Sequence, residues 1–296
     1  MTSGPTAAAP ETVATLRPGQ EVTGLFACSR KDRLLSRAGT PYLALELRDR
    51  SGAIAARAFR DADVLAGRFE RGDVVRVRGR VERFREELQV EVQDIRRAEV
   101  LDADPAAFLP TAYRDLEELE GFLEHLVREV HEPGLRALLE RMLADEKLRA
   151  GLRRAPCTRT GHHAYLGGLL EHTVSVAMLA LELGPLHPRL DRDLLLCAAL
   201  VHDVGKTREF TYAAEIGLTE EGRLLGHIEL GLRVVDRLAP EALDESRRLA
   251  LAHCVLCHHG PEPAPGRRFA SAEALALYRL NALDATVKGA LEHGLG

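Results

Sequence analysis

The sequence predicts a two-module protein: a small all-β barrel followed by an all-α domain. Three observations carry this. Apolar residues recur at every second position between about residues 17 and 100, and at helical spacing from about residue 113 onward. Charge changes with the pattern: residues 17–100 hold 18 Lys+Arg against 14 Asp+Glu, whereas residues 101–296 hold 22 against 30. All 12 histidines lie at or beyond His125, and nine fall between His162 and His259. Two modules with different chemistry follow: a flexible tail over 1–15, the barrel over 16–100, a linker over 101–112 and the helical domain over 113–296.

The β elements come in order. An opening strand is expected around Glu21–Ser29. Leu43, Leu45 and Leu47 then alternate with Ala44, Glu46 and Arg48, and Asp49-Arg50-Ser51-Gly52 is a turn signal. Ile54, Ala56 and Ala58 continue the alternation up to Phe59. Val75, Val77, Gly79 and Val81 alternate with Arg76, Arg78 and Arg80, and Leu88, Val90 and Val92 make the last strand. Five strands in this length fit an OB-type barrel. Such barrels grip single strands through a basic groove and stacking rings. Arg76, Arg78 and Arg80 are the candidate basic row, with Phe26, Tyr42, Phe59 or Phe84 for stacking. An alternating Arg row is usually just the solvated face of a half-buried strand, and most of these aromatics should be core.

Asp102–Thr111 carries two prolines and no periodicity, as a connector should. Leu116, Leu119, Phe122, Leu123, Leu126, Val127 and Val130 then trace a helical stripe. Further helices are expected near 134–150, 167–183, 191–202, 228–238, 244–257 and 271–292.

Composition removes several classes. With 46% hydrophobic and 29% charged residues the chain is globular. Five scattered cysteines make no disulfide framework. A net charge of −5 argues against a nonspecific nucleic-acid coat protein. No apolar run approaches the roughly 18–20 residues of a membrane span, so no membrane partner is expected. Met1–Pro10 has neither a basic nor an apolar signal region, which makes the cytoplasm the expected location.

The sharpest feature is Leu200-Val201-His202-Asp203-Val204-Gly205-Lys206, in which an apolar helix delivers an adjacent His-Asp pair at its end. His172 lies 30 residues before His202. His227, His258-His259 and Asp284 follow it by 25, 56–57 and 82 residues. Each stands on a different expected helix or helix end, the way a bundle assembles a core site. Imidazoles with carboxylates suit Mn, Fe, Zn, Mg or similar ions. The donors exceed one tetrahedral site and would satisfy two divalent ions, a standard device for phosphoester hydrolysis.

This ordered set, with HDVGK, resembles the HD superfamily of metal-dependent phosphohydrolases. HHAYLGGLLEHT (162–173), LVHDVGK (200–206), LLGHI (224–228) and HHG (258–260) behind an OB barrel are similar to the YhaM-type 3′→5′ exoribonucleases. The resemblance implies an all-α HD domain, a divalent-metal phosphodiesterase and single-stranded RNA or DNA as substrate. By it, His172, His202, Asp203 and Asp284 form one metal site. Asp203 bridges to a second, completed by His227 and His258, with His259 a further ligand candidate. Lys206 would contact a substrate phosphate, and His162 and His163 would touch substrate or orient a leaving oxygen. Some HD relatives place a carboxylate one turn before the first histidine. Here that position is Gly168, so two ions are expected, not three.

Other readings compete. His125, His131, His187 and His293 are read as surface or core residues, and His253 as structural. Gly205-Lys206-Thr207 lacks the leading glycine and the strand that a phosphate-binding Walker loop needs. Cys254-Val255-Leu256-Cys257-His258 matches a haem-attachment pattern, but no export signal is visible and the metal set claims His258. The sequence reading is a two-metal 3′→5′ exonuclease on single-stranded RNA that releases nucleoside monophosphates. The alternatives are a nucleotide or cyclic-dinucleotide phosphohydrolase and a nonenzymatic single-strand binder. The metal's identity and the oligomeric state stay open, a homo-oligomer included.

Overall fold

The computed structural model describes residues 12–99 and 104–294. Most of the expected tail and residues 101–103 of the expected linker lie outside the described residues. The chain divides into two compact units, Met1–Leu109 with Tyr212–Glu215, and Pro110–Thr211 with Ile216–Gly296.

The first unit holds strands β1 (Glu21–Leu35), β2 (Pro41–Asp49) and β3 (Gly52–Ala58), a short helix α1 (Ala62–Ala66), then β4 (Val74–Phe84) and β5 (Glu87–Arg97). They close into a barrel in the order β1-β2-β3-β5-β4, antiparallel except for β3 against β5. The alternating apolar residues fill it: Val22, Phe26, Leu43, Leu47, Val75, Val77, Val81, Val90 and Ile95 are all fully buried. Phe26 is therefore core, as most of the candidate aromatics were expected to be, and is removed from the stacking candidates. The order also begins earlier than expected. Val13–Thr15 forms a 3-10 turn, the Val13 amide donates to Asp49 Oδ2 at 2.7 Å, and Leu16 is buried. Within the expected linker, Pro105–Ala107 forms another 3-10 turn, and Phe108 and Leu109 are buried.

The second unit is helical: α2 (Leu116–Arg128), α3 (Pro133–Ala144), α4 (Glu146–Arg154), α5 (Gly168–Leu186), α6 (Arg192–Val201), α7 (Lys206–Glu209), α8 (Glu220–Leu238), α9 (Glu245–Cys257) and α10 (Ala272–His293). A two-stranded hairpin, β6 (Phe210–Tyr212) and β7 (Ile216–Leu218), interrupts them. Asp115, Asp145, Asp191, Thr219, Asp244 and Ser271 each accept an amide hydrogen bond at a helix start, satisfying donors the helix itself cannot. The Asp145 cap splits one expected helix into α3 and α4.

Helix α5 is long and apolar enough to cross a membrane by length and composition, contrary to the sequence reading. It is a core helix: Leu169, Leu170, His172, Val174, Val176 and Ala177 are buried inside this unit.

Candidate metal centre and barrel face

The His-Asp pair sits where α6 ends. His202 caps that helix, and the chain turns through Val204-Gly205 into α7. A Cβ on Gly205 would lie 2.0 Å from the His227 carbonyl oxygen and 2.5 Å from the Gly231 nitrogen. Only glycine lets α8 approach this closely. Gly226, with φ of 70°, kinks α8 one residue before His227 and aims the imidazole at the turn. Helix α5 supplies His172, the end of α9 supplies His258 and His259, and α10 supplies Asn281 and Asp284.

Asp203 stands at the middle, 2% exposed, with its two oxygens facing different neighbours. Oδ2 lies 2.7 Å from Lys206 Nζ, 3.3 Å from His202 Nε2 and 3.5 Å from His172 Nε2. Oδ1 lies 3.4 Å from His258 Nε2 and 3.6 Å from His227 Nε2, with His259 Nε2 3.1 Å from that of His227. Two donor groups result, His172-His202-Asp203 and Asp203-His227-His258-His259, each with ligand atoms within 4.8 Å of one another.

The tautomers favour a cation. His202 Nδ1–H donates to the Ala199 carbonyl at 2.8 Å, and His258 Nδ1–H to the Val255 carbonyl at 2.6 Å. Each Nε2 therefore presents a lone pair to the centre. Asp203 Oδ1 and His258 Nε2 are both buried without a hydrogen-bond partner. Two acceptors facing each other across 3.4 Å have no stable arrangement without a positive charge between them. Bonds of about 2.1 Å at a tetrahedral centre place two ligand atoms roughly 3.4 Å apart, so the donors fit an ion.

Burial and neighbouring charge set the protonation of several of these candidate ligands. Burial alone would raise the Asp203 pKa, but the Lys206 ammonium beside Oδ2 holds it well below the usual carboxylate range. Burial would lower Lys206, yet Asp203 and Cys157 keep its pKa above the usual lysine value. Burial pushes His172 down to about 4 and His259 down to about 3, so both imidazoles are neutral at neutral pH.

Other expectations need adjustment. Asp284 does not join His202 and Asp203. Its Oδ2 lies 2.6 Å from His172 Nδ1 and 3.0 Å from His163 Nε2, so it braces the back of the His172 ring. His163, 1% exposed and 2.9 Å from the Tyr165 hydroxyl, has no face for substrate; it holds Asp284. Lys206 is neither solvated nor directed at an open pocket, because it is buried against Asp203. His162 is half-buried, its ring 5.5 Å from that of His172. His253 accepts from the Ala270 amide at 2.9 Å and stays structural. At Gly168 a Cβ would lie 2.2 Å from the His163 carbonyl oxygen, so no carboxylate fits there.

Several residues were invisible to spacing. Glu209 Oε1 lies 3.2 Å from both the Nδ1 and the amide of His227 and fixes that ring. Asn281 lies 3.0 Å from His172 Nε2 and donates to the His258 carbonyl. Cys157 lies 3.5 Å from Lys206 Nζ. Tyr165 and Lys288 hold Glu171 beneath His163. None belongs to a motif, although Glu209, seven residues beyond His202, is an acidic residue in the turn region that could have drawn attention.

On the barrel, the outward residues of β4 run Arg76, Arg78, Arg80, Glu82, Phe84. Arg76 and Arg78 border a groove of about 520 Å³ with Thr23, Arg68, Asp94 and Arg96. At the far end of the strand, the Phe84 ring lies 5.0 Å from the Arg57 guanidinium, and Tyr42 stacks on Phe59 with centroids 5.4 Å apart. Arg57 also lies 5.9 Å from the Tyr42 ring. Arg57 was missed because it reads as one outward residue of an alanine-rich strand.

Comparison with known proteins agrees with this architecture. Residues 28–98 match the OB-fold nucleic acid binding domain, and residues 169–286 the HD domain. The 3'-5' exoribonuclease YhaM of Oceanobacillus iheyensis is 30% identical over 244 residues, 82% of this chain and 76% of that protein. The YhaM of Bacillus velezensis is 30% identical over 275 residues, 90% and 85%. The second OB-fold domain of replication protein A from Methanococcus maripaludis covers 31% of this chain and 96% of its own, at 21% identity and a TM-score of 0.26. An OB barrel, an HD domain and this extent of identity place the chain in the YhaM family of 3′→5′ exoribonucleases.

Proposed function

We propose that this protein degrades single-stranded RNA from its 3′ end, one nucleoside 5′-monophosphate at a time, using two divalent ions. The observation that carries the reading is the pair of buried, unpartnered acceptors, Asp203 Oδ1 and His258 Nε2, inside a ring of imidazoles. Such a pair is costly unless a cation is bound. His172, His202 and Asp203 would hold one ion, and Asp203, His227, His258 and His259 the other. The ions supply Lewis acidity toward the phosphate oxygens and acidify water. Lys206 fixes Asp203 through Oδ2 and offsets its charge. Asp284 and His163 keep the His172 ring turned, and Glu209 does the same for His227. His162, at the rim, hydrogen-bonds the leaving 3′ oxygen.

The barrel's part is grip. Tyr42, Phe59 and Phe84 offer base-stacking faces, while Arg57 and the row Arg76, Arg78 and Arg80 offer phosphate contacts. Membership of an exoribonuclease family supports RNA; DNA of the same sequence is the comparator. The decisive experiment follows an oligonucleotide labelled at either end, beside a panel of nucleotides and cyclic dinucleotides. Stepwise 3′ shortening with monophosphate release is expected. Hydrolysis of the small-molecule panel with the oligonucleotide left intact would overturn the proposal.

A further inference from the structure

A third donor group borders the centre. Cys157 Sγ, His162 and His172 place one ligand atom each within 4.8 Å of the others, with Sγ 4.0 Å from His162 Nε2. Cys157 and His172 are fully buried and His162 is half-exposed at the rim. Hydrogen bonds within the chain hold the loop that carries Cys157 and His162. The Cys157 amide donates to the His163 carbonyl at 3.0 Å, and Thr158 Oγ1 donates to the His162 carbonyl at 2.7 Å, closing the loop 157–163 on itself. The thiol has no part in the hydrolysis described above.

We propose that Cys157, His162 and His172 form a separate subsite for a soft divalent cation, zinc first, and that its occupation inhibits the enzyme. Thiolate with imidazole selects zinc over magnesium or manganese, which prefer oxygen. A tetrahedral zinc with bonds of about 2.3 Å to sulfur and 2.0–2.1 Å to nitrogen needs donors roughly 3.5 Å apart, so the sulfur and His162 close by only about half an ångström. As the zinc–sulfur bond forms, the thiol proton leaves to solvent. The resulting thiolate accepts a hydrogen bond from Lys206 Nζ, now 3.5 Å away, which tempers the charge of the sulfur.

Inhibition follows from sharing. His172 belongs both to this group and to the group with His202 and Asp203. A zinc ion held by Cys157 and His162 draws that ring out of the hydrolytic centre. The inhibitory consequence rests on the two-ion reading above, whereas the existence of the subsite does not.

The test uses the full chain, stripped with a chelator and titrated with Co²⁺. A thiolate-to-cobalt charge-transfer band in the near ultraviolet is expected, beside the visible bands of the histidine–carboxylate sites. Cys157→Ser should lose the charge-transfer band and keep the visible ones. Cys257→Ser is the control, because Cys257 lies 3.7 Å from His253 and is another sulfur beside an imidazole. In manganese-supported turnover, Cys157→Ser should need roughly tenfold or more zinc for half-inhibition. Cys157→Ala repeats both measurements in case serine disturbs this buried position. The proposal is overturned if the wild type shows no charge-transfer band, if the band survives both Cys157 variants, or if zinc inhibits them as it does the wild type. Absence of the visible bands would instead count against the two-ion centre.

Discussion

The two oxygens of Asp203 face different worlds. On the Oδ2 side, a buried ammonium already sits at 2.7 Å, and His172 is braced by Asp284, Asn281 and His163. On the Oδ1 side the carboxylate oxygen and His258 Nε2 are both buried without a hydrogen-bond partner. The carboxylate has a cationic partner from the chain on its Oδ2 side and, among the described residues, none on its Oδ1 side, while imidazole nitrogens face it on both. A buried carboxylate flanked by imidazole lone pairs costs several kcal/mol of desolvation, and Lys206 meets part of that from within the chain. Charge compensation inside the fold and charge compensation by an ion are thus divided between the two sides of one side chain.

That contrast can be broken most severely at the shared residue. Asp203→Ala should remove both ions and reduce turnover by roughly 10³-fold or more, with the barrel still folded. Elemental analysis alongside single-turnover kinetics checks it, and retained metal with near-normal turnover would rule the assignment out. Lys206→Ala tests the Oδ2 side. It should lower the rate roughly 10–100-fold at saturating metal, because the shared carboxylate loses its support. The metal-free protein should also lose about 3–5 kcal/mol of stability, because the buried partner charge is left alone. Added metal should restore much of that, read as a melting temperature with and without Mn²⁺. If the variant melts like the wild type in both states, Lys206 does not compensate Asp203.

The Oδ1 side is tested by Glu209→Gln, which keeps the shape but weakens the hold on His227. Affinity for one of the two ions should fall roughly 10–100-fold, with the other unchanged, as read by isothermal titration. Equal weakening at both would merge the two halves into one unit. The mildest change lies outside the centre. Tyr42→Ala or Phe84→Ala should weaken single-stranded RNA binding by about 1–3 kcal/mol per base stacked, with metal content unaltered. Fluorescence anisotropy at two salt concentrations separates that loss from phosphate contacts, which alone change the salt slope.

Much of this was legible in the residues. The five barrel strands follow from period-2 alternation because each buries one face, and Val75, Val77 and Val81 are as buried as their spacing required. The histidines gathered around Asp203 could be placed because the HD-type order fixes which helix each one rides. What lay hidden was reciprocal placement. Asp284 could be expected at the centre, but that it would support His172 from behind depends on the path of α10. Lys206 could be placed near the pair, yet its burial against Asp203 arises from the turn between α6 and α7. Glu209, Tyr165 and Asn281 hold ligands through contacts of high sequence separation, for which no local pattern exists. Phe26 shows the opposite limit, since a lone aromatic in an alternating strand looks the same whether it faces base or core.

The glycine in HDVGK has a bearing on how this centre tolerates change. With the His227 carbonyl oxygen 2.0 Å from where its Cβ would stand, Gly205 acts as a spacer gauge between two helices. Even alanine would push α8 outward and carry His227 with it. A saturation-mutagenesis map should therefore show Gly205 as intolerant as the ligands, though it has no atom to offer a metal. Anyone grafting this donor set onto another scaffold would have to transplant an absence of atoms along with the imidazoles.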